Sequence, residues 1–211
     1  IGEKFLNGSP VALILGDNLF YGHEFTQQLS KADNLIDMAT IFAYPVQDPQ
    51  RYGVVEFDND GNAINIVEKP ISPLSRFAIT GLYFYDSSIV DKAKTISPSS
   101  RGELEITSIN QLYLKEGILK VELMGRGMTW LDTGTFDSLH EAGAFIKTLE
   151  NRQGLKIGSP EEVAWRNRWI DNDQLKKKAN QYMKSGYGDY LLGLISDFNH
   201  DLSAKDLGIN Y

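Results

Sequence analysis

Apolar residues along this chain come in short unbroken runs, separated by polar turns and by stretches of helical spacing. Val11-Ala12-Leu13-Ile14-Leu15 is one such run, closed by Gly16-Asp17-Asn18. A run of this length without alternation predicts a buried central strand with acidic groups at its carboxyl end. Before it, Ile1-Gly2-Glu3-Lys4-Phe5 reads as the end of an amphipathic helix and Asn7-Gly8-Ser9-Pro10 as a turn. Phe25, Leu29 and Ala32 share one helical face, which predicts a helix over 25–35. Met38 to Pro45 predicts a second buried strand. Strand, helix and strand form a βαβ unit, and that implies a parallel sheet.

The pattern then changes. Tyr52 to Phe57 and Ala63 to Pro70 flank Asp58-Asn59-Asp60-Gly61-Asn62, whose Asp-Gly chemistry predicts a hairpin. Phe77 to Tyr85 predicts a strand, Ser87 to Lys94 a helix and Glu105 to Leu114 another. Leu119 to Met124 predicts a strand, followed by the Gly125-Arg126-Gly127 turn and Met128-Thr129-Trp130-Leu131-Asp132. A long helix is expected over 136–154, with its apolar stripe at Leu139, Gly143, Ile146 and Leu149.

Beyond it the character shifts. Ser159-Pro160-Glu161-Glu162 carries an N-cap serine, proline at the first helical position and acids in the first turn. Asp171 or Asn172 opens a lysine-rich helix with Lys176, Lys177 and Lys178. Residues 155–211 thus read as a helical C-terminal extension of an α/β domain over 1–154.

The 211 residues carry 21 Lys+Arg against 28 Asp+Glu, a formal net charge of −7. Without a basic run, such a chain is a poor binder of nucleic acid or anionic membrane. Cysteine is absent, which excludes disulfides and thiolate metal centres. The three histidines, His23, His140 and His200, lack metal-site spacing. No apolar run approaches the roughly 18 residues of a membrane span, and no signal-peptide pattern opens the chain. A cytoplasmic location is the expectation.

Candidate chemistry gathers at strand ends. Asp17 and Asp132 would both lie beyond the carboxyl ends of strands, where open α/β sheets bind ligands. Two carboxylates converging there suit Mg²⁺, which takes one or two carboxylates plus phosphate oxygens. Each, taken singly, also reads as a turn former or helix cap. Lys69 could meet a phosphate as a point charge and Glu68 could accept sugar hydroxyls, or the two form a solvated surface pair. Arg101 in Arg101-Gly102-Glu103 could clamp a phosphate or serve as an ion-pair partner. Gly53 allows close approach of a ligand or marks turn geometry, and Trp130 stacks on a ligand or fills core. No glycine-rich phosphate loop is present.

The ordered motifs carry more than any one of them. Leu15-Gly16-Asp17-Asn18-Leu19-Phe20-Tyr21-Gly22, Asp48-Pro49-Gln50-Arg51-Tyr52-Gly53-Val54-Val55, Val67-Glu68-Lys69-Pro70, Thr80-Gly81-Leu82-Tyr83-Phe84-Tyr85-Asp86, Arg101-Gly102-Glu103-Leu104-Glu105-Ile106-Thr107 and Trp130-Leu131-Asp132-Thr133-Gly134-Thr135 follow in order. Together they closely resemble the sugar-1-phosphate nucleotidyltransferase family, and within it the homotetrameric thymidylyltransferases of the dTDP-L-rhamnose route. The resemblance covers nearly the whole chain. It implies a Rossmann-like α/β fold with a mixed, mainly parallel sheet flanked by helices, and joining of glucose 1-phosphate and dTTP into dTDP-glucose and pyrophosphate. It implies Mg²⁺ on Asp17 and Asp132, neutralisation of the sugar phosphate by Lys69 and Arg101, and sugar binding by Glu68. Gly53, Ile79, Asn18 and Tyr52 would line the sugar pocket, with Thr80 and Trp130 supporting it.

One departure is large. The family's Gly-Gly-x-Gly-Thr-Arg-Leu-x-Pro signature, which holds the triphosphate, is missing, so an incomplete chain, inactive alone, is the expectation. The family also carries a regulatory nucleotide site at a subunit interface. Gly22, His23, the Gly125–Gly127 turn, Glu161 and Glu162 are the candidates here. Two other readings stay open: a related transferase using UTP, CTP or ATP, and a non-catalytic sugar-phosphate-binding or oligomerisation subunit.

Overall fold

The computed structural model describes residues 2–23, 25–99 and 101–200, the last four by their backbone alone. Ile1, Ser100 in the loop before Arg101, the His200 side chain and residues 201–211 of the expected extension lie outside the described residues. The chain divides into two compact units, Ile1–Ala144 and Phe145–Tyr211.

The first unit opens with the one-turn helix α1 (Glu3–Leu6) and strands β1 (Val11–Ile14) and β2 (Asn18–Tyr21). Helix α2 (Phe25–Asp33) and strand β3 (Ala39–Pro45) follow, then a 3-10 turn over Pro49–Arg51. Strands β4 (Gly53–Phe57), β5 (Ala63–Glu68) and β6 (Phe77–Tyr85) come next, then helices α3 (Ile89–Thr95) and α4 (Ile106–Lys115). Strands β7 (Leu119–Leu123) and β8 (Thr129–Asp132) lead into helix α5 (Phe136–Gln153).

Six strands form one sheet in the order β5-β4-β6-β3-β7, with β1 on β6 beside the end of β4. Only β3 and β7 pair in parallel; the other ladders are antiparallel. Because β6 runs against its neighbours on both sides, β1, β3, β4 and β7 nonetheless share one direction. The β1–α2–β3 unit therefore has the expected parallel sense, with β6 inserted between its strands. The fold is mixed α/β.

The buried central strand expected at Val11–Leu15 is corrected. Among the described residues β1 pairs with β6 alone, and Leu13, Ile14 and Leu15 are 39%, 58% and 40% exposed. A continuous apolar run reports hydrophobic character, and which neighbours cover it is a tertiary matter. Strand β2, too short to show a period, pairs antiparallel with β8 in a separate two-stranded sheet. On α5, Leu139 and Gly143 are exposed and Ala142 is the buried residue, so the expected stripe is also displaced.

Both faces of the central strands are covered. Ile41, Ala43, Ile79, Tyr83 and Tyr85 point to the side that also holds Ile109 and Tyr113 of α4. Phe42, Ala78 and Leu82 point to the other, with Ala32 of α2, Met124, Met128 and Trp130. This is strand alternation with period 2, buried twice over, so β3 and β6 read as unbroken apolar runs.

The second unit holds α6 (Pro160–Arg166), α7 (Asn172–Gln181) and α8 (Tyr187–His200) around Trp165, Leu175, Ala179, Leu191, Leu194 and Ile195. Ser159 caps α6 through the Glu162 amide, and Asp171 with Gln174 forms a capping box on α7. No helix among the described residues is long and apolar enough to cross a membrane.

Candidate active site

The β4–β5 hairpin places four predicted residues side by side. Its turn is closed by Asp58, whose Oδ1 accepts from the amides of Asp60 and Asn62 at 2.9 and 2.8 Å, with Gly61 at φ 84°. The resulting register sets Gly53 opposite Glu68, and the Lys69 amide donates to the Tyr52 carbonyl at 2.9 Å. Lys69 itself sits at φ 42°, in the left-handed region that costs a side-chain-bearing residue about 1 kcal/mol or more.

The β2–β8 ladder sets Asn18 opposite Asp132 and so brings two distant aspartates together. The Asp17 carbonyl accepts from the Thr133 amide at 2.8 Å and from its hydroxyl at 2.9 Å. A methyl group on Gly134 would lie 3.2 Å from Asp132 Oδ1 and 3.8 Å from Asp17 Oδ2, so this glycine leaves the space beside both carboxylates open. Asp17 Oδ1 accepts from Asn18 Nδ2 at 2.8 Å, and Asp132 Oδ1 from the Gly134 amide at 3.1 Å. Each aspartate thus uses one oxygen as a local turn organiser; the second oxygen of Asp132 lies 3.6 Å from Arg51, an ion pair longer than a hydrogen bond. Two such hard oxygen donors fit a divalent cation that completes its shell with phosphate oxygens and water.

Asn18 is the junction of this region. Its Oδ1 accepts from the Gly81 amide at 2.9 Å and from Trp130 Nε1 at 2.6 Å, while its Nδ2 donates to Asp17. A Cβ on Gly81 would fall 2.6 Å from the Asn18 side chain. Trp130, 7% exposed, is at once core and site wall: its ring stands edge-on to Tyr52 with centroids 5.0 Å apart.

These groups border one cavity of about 560 Å³. Asp17, Asn18, Tyr52, Gly53, Glu68, Lys69, Ile79, Trp130 and Asp132 line it. Leu15, Arg51, Gly81, Tyr83, Ile106, Thr107, Gly134 and Thr135 line it too. Two predicted residues do not. Thr80 is fully buried on β6 between the lining residues Ile79 and Gly81, its hydroxyl without a hydrogen-bond partner. Arg101 lies off the cavity lining, its guanidinium 2.9 Å from Glu103, 3.7 Å from Glu105 and 3.7 Å from Glu68.

Thr107 and Arg51 are the additions that matter. Thr107 Oγ1 donates to Glu68 Oε2 at 2.5 Å beside Gly53, where a Cβ would crowd the pair at 3.0 Å from Thr107 Oγ1 and 3.3 Å from Glu68 Oε2. No local pattern announces that use of Gly53. Arg51 pairs with Asp48 at 3.0 Å and with Asp132 at 3.6 Å; an arginine three residues after an aspartate and one before Tyr52-Gly53 was the available signal. The Asp48 hydrogen bond raises the Arg51 pKa further above its ordinary value. Burial pushes the Tyr52 hydroxyl up; Arg51 pulls it down, and Asp132 and Asp48 push it up again, leaving it raised and thus a neutral hydrogen-bonding group.

The other candidates belong to the two units, Gly22, His23 and the Gly125–Gly127 turn to the first, Glu161 and Glu162 to the second. Gly22 packs against Met128, so the Gly22–His23 segment and the Gly125–Gly127 turn are neighbours, with His23 exposed. Glu162 is buried in the second unit, accepting from Arg166 Nε at 2.7 Å and from the Tyr190 hydroxyl, and Glu161 accepts from the Tyr187 hydroxyl at 2.8 Å. Among the described residues no group of three or more His, Cys, Asp or Glu is placed to hold a metal ion.

Residues 1–148 match the family model described as nucleotidyl transferase. A glucose-1-phosphate thymidylyltransferase of Neisseria gonorrhoeae is 52% identical over 195 residues, 92% of this chain and 68% of that protein. One from Mycolicibacterium smegmatis is also 52% identical, over 92% of this chain and 67% of its own length. The chain therefore spans about two thirds of the length of these curated relatives. A solved Bacillus anthracis structure, described as an inferred glucose-1-phosphate thymidylyltransferase in complex with a sucrose, superposes with a TM-score of 0.61 at 40% identity, covering 68% of this chain and 57% of that one. Apo UDP-glucose pyrophosphorylase superposes with a TM-score of 0.57 at 22% identity, over 70% of this chain and 57% of that one, a likeness of fold alone. On the family match and on relatives of this identity, the chain belongs to the nucleotidyl transferase family, in its glucose-1-phosphate thymidylyltransferase group.

Proposed function

We propose that the chain carries the metal and sugar-phosphate side of the reaction that joins dTTP and glucose 1-phosphate into dTDP-glucose, releasing pyrophosphate. The observation that supports it most is the sharing of one cavity by the Asp17–Asp132 pair and the Glu68–Lys69 pair. A phosphoryl centre and a sugar-binding end within one cavity of about 560 Å³ match a substrate that has both.

The residues divide the work as follows. Lys69 lines the cavity with no ion pair among the described residues, so its ammonium is available to the sugar phosphate. Glu68 has Oε2 held by Thr107, while Oε1 lies 3.7 Å from the Arg101 guanidinium, beyond hydrogen-bond length, and so can still accept from sugar hydroxyls. Tyr52 and Trp130 form an aromatic wall against the sugar face, and the Gly53 and Ile79 backbones complete the pocket. With the sugar phosphate so held, one of its oxygens attacks the nucleotide α-phosphorus in line and pyrophosphate leaves. Positioning and charge neutralisation carry such a reaction. Asp17 and Asp132 would hold Mg²⁺, which would supply positive charge against the phosphate oxygens. Arg101, partly exposed and within 3.7 Å of three carboxylates, steadies Glu68 in this reading. A homotetrameric assembly and a place in dTDP-rhamnose supply rest on the family resemblance.

The test pairs binding with turnover. Calorimetry should detect saturable binding of glucose 1-phosphate that Lys69→Ala weakens. Pyrophosphate release with Mg²⁺ and glucose 1-phosphate, measured on a longer protein in which this chain is joined to the glycine-rich triphosphate signature, should favour dTTP over UTP. Absence of glucose 1-phosphate binding, or preference for UTP, overturns the proposal.

A further inference from the structure

We infer that Arg51 is an internal counter-cation of the aspartate pair, one that occupies the Asp132 carboxylate and is displaced when a divalent cation loads. The inference rests on the metal role given to Asp17 and Asp132 above.

Three features of Arg51 point to it. First, among the described residues it is the one basic side chain paired with either aspartate. Two carboxylates beside the same open point over Gly134 repel each other, and a nearby fixed positive charge relieves that repulsion. Second, its grip on Asp132 is loose. At 3.6 Å it is an ion pair beyond hydrogen-bond length, whereas the bond to Asp48 is 3.0 Å. Third, the guanidinium keeps a seat of its own. It stands 5.3 Å from the Tyr52 ring centroid, held by Asp48 at the start of the Pro49–Arg51 turn. Its side chain is 43% exposed, so leaving Asp132 strands no buried charge.

An arginine stays protonated at every working pH, so it cannot vacate by losing its charge. A dication arriving beside Asp132 must therefore displace it or bind against its repulsion. Arg51 lowers metal affinity in either case. The charge it gives up at Asp132 remains in the cavity, where it faces the phosphate oxygens that arrive with the metal.

The experiment is a Mn²⁺ titration of the full chain, followed by electron paramagnetic resonance, for the wild type, Arg51→Gln, Asp48→Asn and Asp132→Asn. Arg51→Gln should bind Mn²⁺ roughly three- to tenfold more tightly, the range expected for removing one charge across a solvent-exposed gap. Asp48→Asn should bind it about twofold or more weakly, because Arg51 then turns wholly to Asp132. Asp132→Asn should lose the site. Equal or weaker binding by Arg51→Gln, with Asp132→Asn still deficient, overturns the role of Arg51 and leaves the metal site standing. Equal or tighter binding by Asp48→Asn overturns it likewise. Absence of Mn²⁺ binding in both the wild type and Arg51→Gln overturns the inference and the metal reading together.

Discussion

The Thr107 hydroxyl donates to the Glu68 carboxylate at 2.5 Å, beside a Gly53 at which a Cβ would crowd both partners. The bond joins the start of α4 to the end of β5 and fixes one oxygen of the carboxylate that faces the cavity. Gly53→Ala should push the two side chains apart and weaken glucose 1-phosphate binding about tenfold, the loss of roughly one charge-assisted hydrogen bond. Thr107→Val should act in the same direction without altering the backbone. Calorimetry on both variants checks the expectation, and unchanged affinity in both would remove Thr107 from the site.

Lys69 combines a cavity-facing charge with a strained backbone at φ 42°. Glycine relieves that strain and alanine does not. Lys69→Gly should be more stable than Lys69→Ala by about 1 kcal/mol in urea denaturation, while both lose glucose 1-phosphate affinity. Equal stability of the two variants would show that the backbone relaxes once the ammonium is gone.

Asn18 links Gly81, Trp130 and Asp17 through one amide group. Asn18→Ala leaves the buried Trp130 indole N–H without its acceptor and Asp17 without its donor. A destabilisation of about 2–3 kcal/mol is expected, read from the urea midpoint, together with a shift in Trp130 fluorescence. A loss below about 0.5 kcal/mol would mean that water replaces the amide at little cost.

A second carboxylate, away from the cavity, sets a pH dependence. Burial pushes the Asp86 carboxyl up, but hydrogen bonds from Ser88 and Tyr113, with Lys92 nearby, outweigh it and hold its pKa below the ordinary 3.8. The folded value lies below the unfolded one. The stabilisation is therefore complete above the unfolded value and is lost as pH falls through the folded one. Asp86→Asn should cost about 1 kcal/mol at pH 7, a figure discounted for partial exposure, and the gap to the wild type should narrow toward pH 3. Thermal melts of both proteins across that range measure it; a constant gap would assign the effect to packing.

Much of the first unit was legible in the sequence for a definite reason. β3 and β6 are buried on both faces, so their apolar runs are continuous, and Asp-Gly chemistry marks the β4–β5 turn. That turn alone sets Tyr52 and Gly53 beside Glu68 and Lys69, because an antiparallel hairpin converts sequence order into register. β1 was misread on the same grounds that succeeded for β3: apolar character is local, whereas coverage depends on neighbouring strands.

What the sequence by itself determined is therefore the set of elements, the hairpin register and the residue types available for phosphate chemistry. Tertiary structure alone decided which of them meet. Asp17 and Asp132 converge because four-residue β2 pairs with β8, a ladder too short to leave a period. Arg101, a phosphate candidate by residue type, is partly exposed beside three carboxylates and off the cavity lining, while Arg51 stands at Asp132. Gly53 and Gly81 make room for side chains that approach from elsewhere in the chain, not for their own backbone angles. Local propensity depends on neighbours in sequence; a site depends on neighbours in space, and only the folded ladders relate the two.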